Sequence, residues 1–204
     1  MTDGFDAADD VALLRSRGED AVAELFDRYR SRLVRMVAVR IDCRVLGKVD
    51  IEDVLQDAFV QAARRVGDYL DRPSVPFFIW LRQITGQILI DTHRRYLAKM
   101  RNVNQEVRLH SCGCASNASG VLAAELAGSL TTPSQCAVRK EMVCELKVAL
   151  EQLGEIDREV LMLRHLEELS NNEVAQILGI DKYAASKRYM RALTRLRGAM
   201  SVHQ

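Results

Sequence analysis

Prolines are scarce in this sequence: three in 204 residues, two of them in the short stretch "DRPSVP". A chain so poor in the residue that breaks helices is free to carry long ones. Also missing is any apolar run approaching the ~18 residues that cross a bilayer as a helix, so membrane insertion is not expected. The first residues are acidic and polar, unlike a signal peptide, and a cytoplasmic protein is expected. Cysteines number five, an odd count, and Cys43, Cys136 and Cys144 are scattered through helical patterns, which fits reduced thiols better than a disulfide framework. The sequence contains no Gly-rich phosphate loop, no HExxH pair and no nucleophile–His arrangement, so neither catalysis nor a cofactor is expected.

What is present is helical periodicity and segregated charge. A formal net charge of +1 hides opposite ends: residues 1–27 hold eight acids against two arginines, whereas 182–204 hold six Lys/Arg and no acid. Val22, Leu25, Phe26, Tyr29, Leu33, Met36 and Val37 recur three or four apart and predict one buried helix stripe. Asp50 is placed to cap a second helix, with Ile51, Val54, Leu55, Ala58, Phe59 and Ala62 on its inner face. Asp50, Glu52, Asp53 and Asp57 crowd its first turns, where carboxylates favour a helix N-terminus. Pro73 and Pro76 then bend the chain before "FFIWLRQITGQILIDTHRRYLAKMR". In that helix Phe77, Leu81, Ile84 and Ile88 share a face, and Arg94, Arg95, Lys99 and Arg101 load the end with positive charge. An aromatic-rich entry to a basic helix suits unstacked bases and phosphates.

Strong periodicity fades over residues 102–131, where Ser, Asn, Gly and Ala gather around a short predicted helix at 121–127. Within that stretch "HSCGC" offers His110, Cys112 and Cys114, but a single CxC falls short of the four ligands of structural zinc, and no metal is expected. Thr132, Pro133 and Gln135 stand at cap, first and box positions of the next helix, marked by Met142, Val143, Leu146, Leu150 and Leu153. Val160, Leu161 and Leu163 mark another. The expected fold is all-α: two small helical domains, at 10–97 and 132–200, joined by a flexible linker at 98–131.

The second domain closes on "LSNNEVAQILGIDKYAASKRYMRALTRLR". Ser170 and Glu173 have capping-box spacing, Val174, Ala175, Ile177 and Leu178 form a stripe, and Gly179 ends the helix. Asp181 can cap a second helix with Ala185, Tyr189, Ala192, Leu193 and Leu196 inward. This is a helix-turn-helix pattern. At about 100° per residue, Tyr183, Ser186, Lys187, Met190, Arg191 and Thr194 face outward, with Arg188 at the flank. Such a face suits a major-groove reader, in which basic groups hold phosphates and polar groups read base edges.

Taken in order, three segments resemble the bacterial sigma factors of the extracytoplasmic-function type. "DIEDVLQDAFVQAARR" is similar to the family's segment that docks on the clamp helices of RNA polymerase, which implies that Asp53, Gln56 and Asp57 bind core polymerase. "FFIWLRQITGQILIDTHRR" is similar to the segment that reads the −10 element as a single strand, which implies Trp80, Gln87, Arg94 and Arg95 as DNA contacts; Gln87 stands where many members have Asn. "DREVLMLRHLEELSNNEVAQILGIDKYAASKRYMRAL" is similar to the domain that reads the −35 duplex, which implies Tyr183, Ser186, Lys187, Arg188, Met190 and Arg191. The resemblance spans about residues 10–97 and 136–198, with a linker longer than is usual in the family. It implies a subunit that directs core polymerase to promoters and helps open them, restrained by an anti-sigma factor; regulation through a long C-terminal extension is not expected.

Two other classes compete. A helix-turn-helix repressor or activator would explain residues 136–200 equally well, but it leaves the acidic helix at 50–66 and the Trp80 to Arg95 segment without a purpose. An enzyme built on His110, Cys112 and Cys114 would need partners that the sequence does not supply.

Overall fold

The computed structural model describes residues 7–41, 48–103, 114–128 and 133–201. Among them all regular structure of any length is helical, and the chain divides into two compact units, Met1–His110 and Ser111–Gln204.

The first unit contains α1 (Ala7–Arg17), α2 (Glu19–Arg40), α3 (Ile51–Asp71) and α4 (Phe77–Val103), each packed on the other three. Every residue of the stripe expected from Val22 to Val37 is buried in α2. Asp50 caps α3 by accepting the Glu52 amide at 3.0 Å, so one acid of the crowded first turn has a structural task. Aromatic rings fill the space between helices: Phe26 meets Phe59 edge to face at 5.4 Å, and Tyr29 meets Phe78 at 5.2 Å.

Helix α1 is an element the periodicity reading did not delineate. Its acidic, short pattern hides an anchor: Leu14 is fully buried, and Asp10, only 2% exposed, accepts from the Tyr29 hydroxyl at 2.5 Å and from Arg28 at 3.1 Å. Burial raises the Asp10 carboxyl above its usual range, against the opposing pull of those two donors. Gly18, at φ 57°, takes the left-handed turn into α2 that a side chain would resist.

The second unit contains α5 (Cys114–Leu126), α6 (Pro133–Gln152), α7 (Glu155–His165), α8 (Asn171–Leu178) and α9 (Lys182–Ser201). The short helix expected at 121–127 is present as α5, which starts earlier, at Cys114, ends at Leu126, and packs on α6 and α7. Ser119, Leu122 and Ala123 of α5 are fully buried; Leu122 supplies apolar bulk, and Ser119 and Ala123 are small enough to allow a close approach. Helix α4, expected over residues 77–101, runs two residues further to Val103. Pro133 opens α6 as expected, whereas Thr132, His110 and Cys112 lie outside the described residues. Leu146, Leu150 and Leu153 are buried, but Met142 at the start of their stripe is exposed, as is Val138 one turn earlier. Arg158 closes the far end of α6, donating to the carbonyls of Leu150, Glu151 and Leu153 at 3.0–3.2 Å.

Candidate nucleic-acid interface

The turn between α8 and α9 is assembled from local chemistry. The Ser170 hydroxyl accepts the Glu173 amide, and the Glu173 carboxylate accepts the Ser170 amide at 2.8 Å, which completes the capping box. Gly179 is left-handed at φ 63°, and the Ile180 amide reaches back to the Ala175 carbonyl at 3.0 Å in a Schellman-type closure. Asp181 then accepts the Ala184 amide at 2.8 Å and starts α9. The Asn171 side-chain amide bridges the start of α8 to the Lys182 carbonyl at 2.9 Å. Beneath, Arg164 donates to the Leu169 carbonyl at 2.6 Å while lying over the Tyr189 ring at 5.5 Å.

These ties fix which side of α9 meets solvent. Ala185, Ala192 and Leu196 are buried. Tyr183 and Met190 are 78% and 58% exposed, and Ser186, Lys187 and Arg191 share their outward side with Arg188 half-buried at the rim. Two large apolar side chains beside three cations form a surface able to touch both base edges and phosphates.

One member of that face has a partner the sequence did not announce. Asp157, buried in the first turn of α7, accepts from Arg195 at 2.5 Å and from Arg191 at 3.4 Å. Because Asp157 lies 34 residues from Arg191, only tertiary packing brings them together.

In the first unit, α3 and α4 present a second surface. Asp53, Gln56 and Asp57 are all exposed on α3. Glu52, next to them, is occupied by an ion pair with Arg30. On α4, Gln87, Arg94 and Arg95 are exposed, with the Gln87 amide donating to Asp91 at 3.2 Å and Arg95 to Thr92 at 3.4 Å. A groove of about 560 Å³ runs between the helices, lined by Asp57, Gln61 and Arg64 from α3 and by Gln87, Asp91 and Arg95 from α4. Gln61, Arg64 and Arg65, which join that lining, were missed in the sequence; their spacing from Asp57 at four, seven and eight residues was the available signal.

Trp80 is placed differently from the rest. It is half-buried and stacked against Tyr69 at 4.9 Å and Phe77 at 5.4 Å. Tyr69 in turn donates to the Val75 carbonyl at 2.9 Å, and burial pushes its hydroxyl up to about 12. The aromatic cluster thus holds the Pro73–Pro76 bend as well as the indole. No group of His, Cys, Asp and Glu able to hold a metal occurs among the described residues, and no described helix is long and apolar enough to cross a membrane.

Two helical units, one ending in a helix-turn-helix with a basic outward face, define a DNA-binding transcription factor. Residues 25–98 match the family model of Sigma-70 region 2, and residues 145–196 match that of Sigma-70, region 4. The chain belongs to the sigma-70 family, in its extracytoplasmic-function group. It is similar to the ECF RNA polymerase sigma factor SigW of Bacillus subtilis (strain 168), 24% identical over 189 residues that cover 92% of each chain. It is 30% identical over 152 residues to the probable RNA polymerase sigma factor RfaY of Xanthomonas campestris pv. campestris; the match covers 73% of this chain and spans about a third, 34%, of that relative's length. Its fold is similar to that of CnrH, solved in complex with the cytosolic domain of CnrY, with a TM-score of 0.53, 22% identity, and coverage of 98% of this chain and 100% of that one.

Proposed function

We propose that this chain is a promoter-recognition subunit of RNA polymerase whose two units divide the work. In this reading α9 enters the major groove of the −35 element through Tyr183, Ser186, Lys187, Met190 and Arg191, with Arg188 on the backbone at the rim. Gln87, Arg94 and Arg95 on α4 engage the −10 element once it is single-stranded, with Trp80 shaping the edge of that surface. Asp53, Gln56 and Asp57 on α3 meet basic side chains on the clamp helices of core polymerase. The observation that carries the reading is the pairing of an outward basic face on α9 with an exposed acidic face on α3, each on a unit matched to the corresponding region of the family.

The subunit performs no bond chemistry. It spends binding energy on unstacking bases, a cost of a few kcal/mol per extruded base. Its place of work is the cytoplasm, where polymerase and promoter are. CnrH is seen with the cytosolic domain of another protein, and we extend a protein partner of that kind, an anti-sigma factor, to this chain. Run-off transcription with purified core polymerase tests the proposal: specific transcripts should require both the chain and the core enzyme. A chain that binds duplex but never redirects core polymerase would instead be a helix-turn-helix repressor or activator.

A further inference from the structure

Asp157 is 3% exposed, yet both arginines it meets remain about half in solvent, Arg191 at 52% and Arg195 at 56% of side-chain area. Its two oxygens are used unequally: Oδ2 takes Arg195 at 2.5 Å and Oδ1 takes Arg191 at 3.4 Å. Arg195 is thus the tight anchor between α7 and α9, and Arg191 is held loosely by one edge of its guanidinium. Arg191 lies four residues after Lys187 and beside Met190, within the outward face of α9. A guanidinium has five donors in a fixed fork, so holding one edge leaves others available at a set orientation.

We propose that Asp157 is a positioning residue for −35 recognition, acting through Arg191. An arginine with no carboxylate beside it would swing to whichever phosphate lies nearest, which adds affinity for every sequence and information about none. Asp157 removes one unit of unscreened charge from the face and restricts the arc Arg191 can sweep, so the contact it makes depends on the register of α9 in the groove. The inference rests on α9 reading duplex, and it assigns to a buried residue of α7 a share in the specificity of a helix it does not belong to.

The test uses holoenzyme made with the full chain and two duplexes: the tightest binder selected from a random pool by wild-type holoenzyme, and a scrambled duplex of the same composition. Asp157→Asn should bind the scrambled duplex more tightly, with a salt slope steeper by about 0.9 for one added phosphate contact. The ratio of selected to scrambled affinity should fall about five- to tenfold. Asp157→Glu, which keeps the charge, should recover most of that ratio, and adding Asp157→Asn to Arg191→Ala should change the ratio no further. A purely structural tie between α7 and α9 would lower both affinities in proportion, and that result overturns the proposal. So does an Asp157→Asn effect that persists undiminished beside Arg191→Ala. If Arg191→Ala alone spares the selected duplex, the reading of α9 falls and this inference with it, whereas a defective Arg191→Ala with an independent Asp157 effect sinks the inference alone. Should Asp157→Asn not fold, Arg191→Lys keeps the charge without the fork, and undiminished discrimination by that variant overturns the proposal.

Discussion

Gly179 shows how a single residue can matter through backbone alone. It sits at φ 63°, and a Cβ added there would meet nothing within 4 Å, so the whole cost of a side chain is conformational. Gly179→Ala should therefore lose about 1 kcal/mol, seen as a lower urea midpoint at unchanged m-value, and no cavity or clash would add to it. Surface residues of the interface should behave in the opposite way. Gln87→Ala and Arg95→Ala change exposed side chains, so stability should stay within about 0.5 kcal/mol while promoter opening by holoenzyme slows, and a pre-melted −10 segment should not restore their contacts to the strand. Trp80 cannot be tested so cleanly. Its stack on Tyr69 and Phe77 means that Trp80→Ala should cost about 3 kcal/mol in thermal or urea unfolding as well as any DNA contact.

Between elements, α7 and α9 are joined by a second contact besides Asp157. His165 lies 3.2 Å from the Tyr189 hydroxyl, and burial, followed by the neighbouring Arg164 charge, lowers its pKa below the usual histidine value of 6.5. The unfolded chain then binds this proton more readily than the folded one. Stability contributed by neutral His165 is full above about pH 6.5 and is lost as pH falls from there toward the folded pKa. Unfolding of α9 followed through the Tyr189 resonances should shift to lower urea at pH 5.5 than at pH 7.5. His165→Gln should flatten that dependence, and an equally steep profile in the variant would remove His165 from the account.

Across the whole molecule, separate units imply separable defects. Charge reversal at Asp53 or Asp57 should weaken core polymerase binding at moderate salt while leaving the fold intact, since both carboxylates are exposed on α3. Lys187→Ala should do the reverse, sparing core binding and weakening association of holoenzyme with upstream duplex, about tenfold if it reads a base. Cys112→Ser with Cys114→Ser should leave promoter-dependent transcription unchanged; stoichiometric zinc lost together with activity would overturn that expectation. Charge belongs to this scale too. The acidic first 27 residues and the basic α9 carry opposite net charge within a chain of +1, so raising salt should affect duplex binding more steeply than net charge alone suggests.

Local chemistry, acting over a few residues, was sufficient to specify the turn that carries α9: Ser170 with Glu173, Gly179, and Asp181 each find partners within five positions. The buried stripe of α2 and the outward face of α9 follow from helical period for the same reason, because a helix converts spacing into direction without outside help. What packing decided were pairings between residues far apart in the chain. Asp10 and Tyr29, Tyr69 and Trp80, and above all Asp157 with Arg191 and Arg195 carry no spacing rule. Helix α5 is intermediate: the sequence indicated a short helix at 121–127, whereas its earlier start at Cys114 and the burial of Ser119, Leu122 and Ala123 come with packing on α6 and α7. A buried charge or a small-residue contact is defined by what the rest of the chain places opposite it, and that is a property of the folded unit alone.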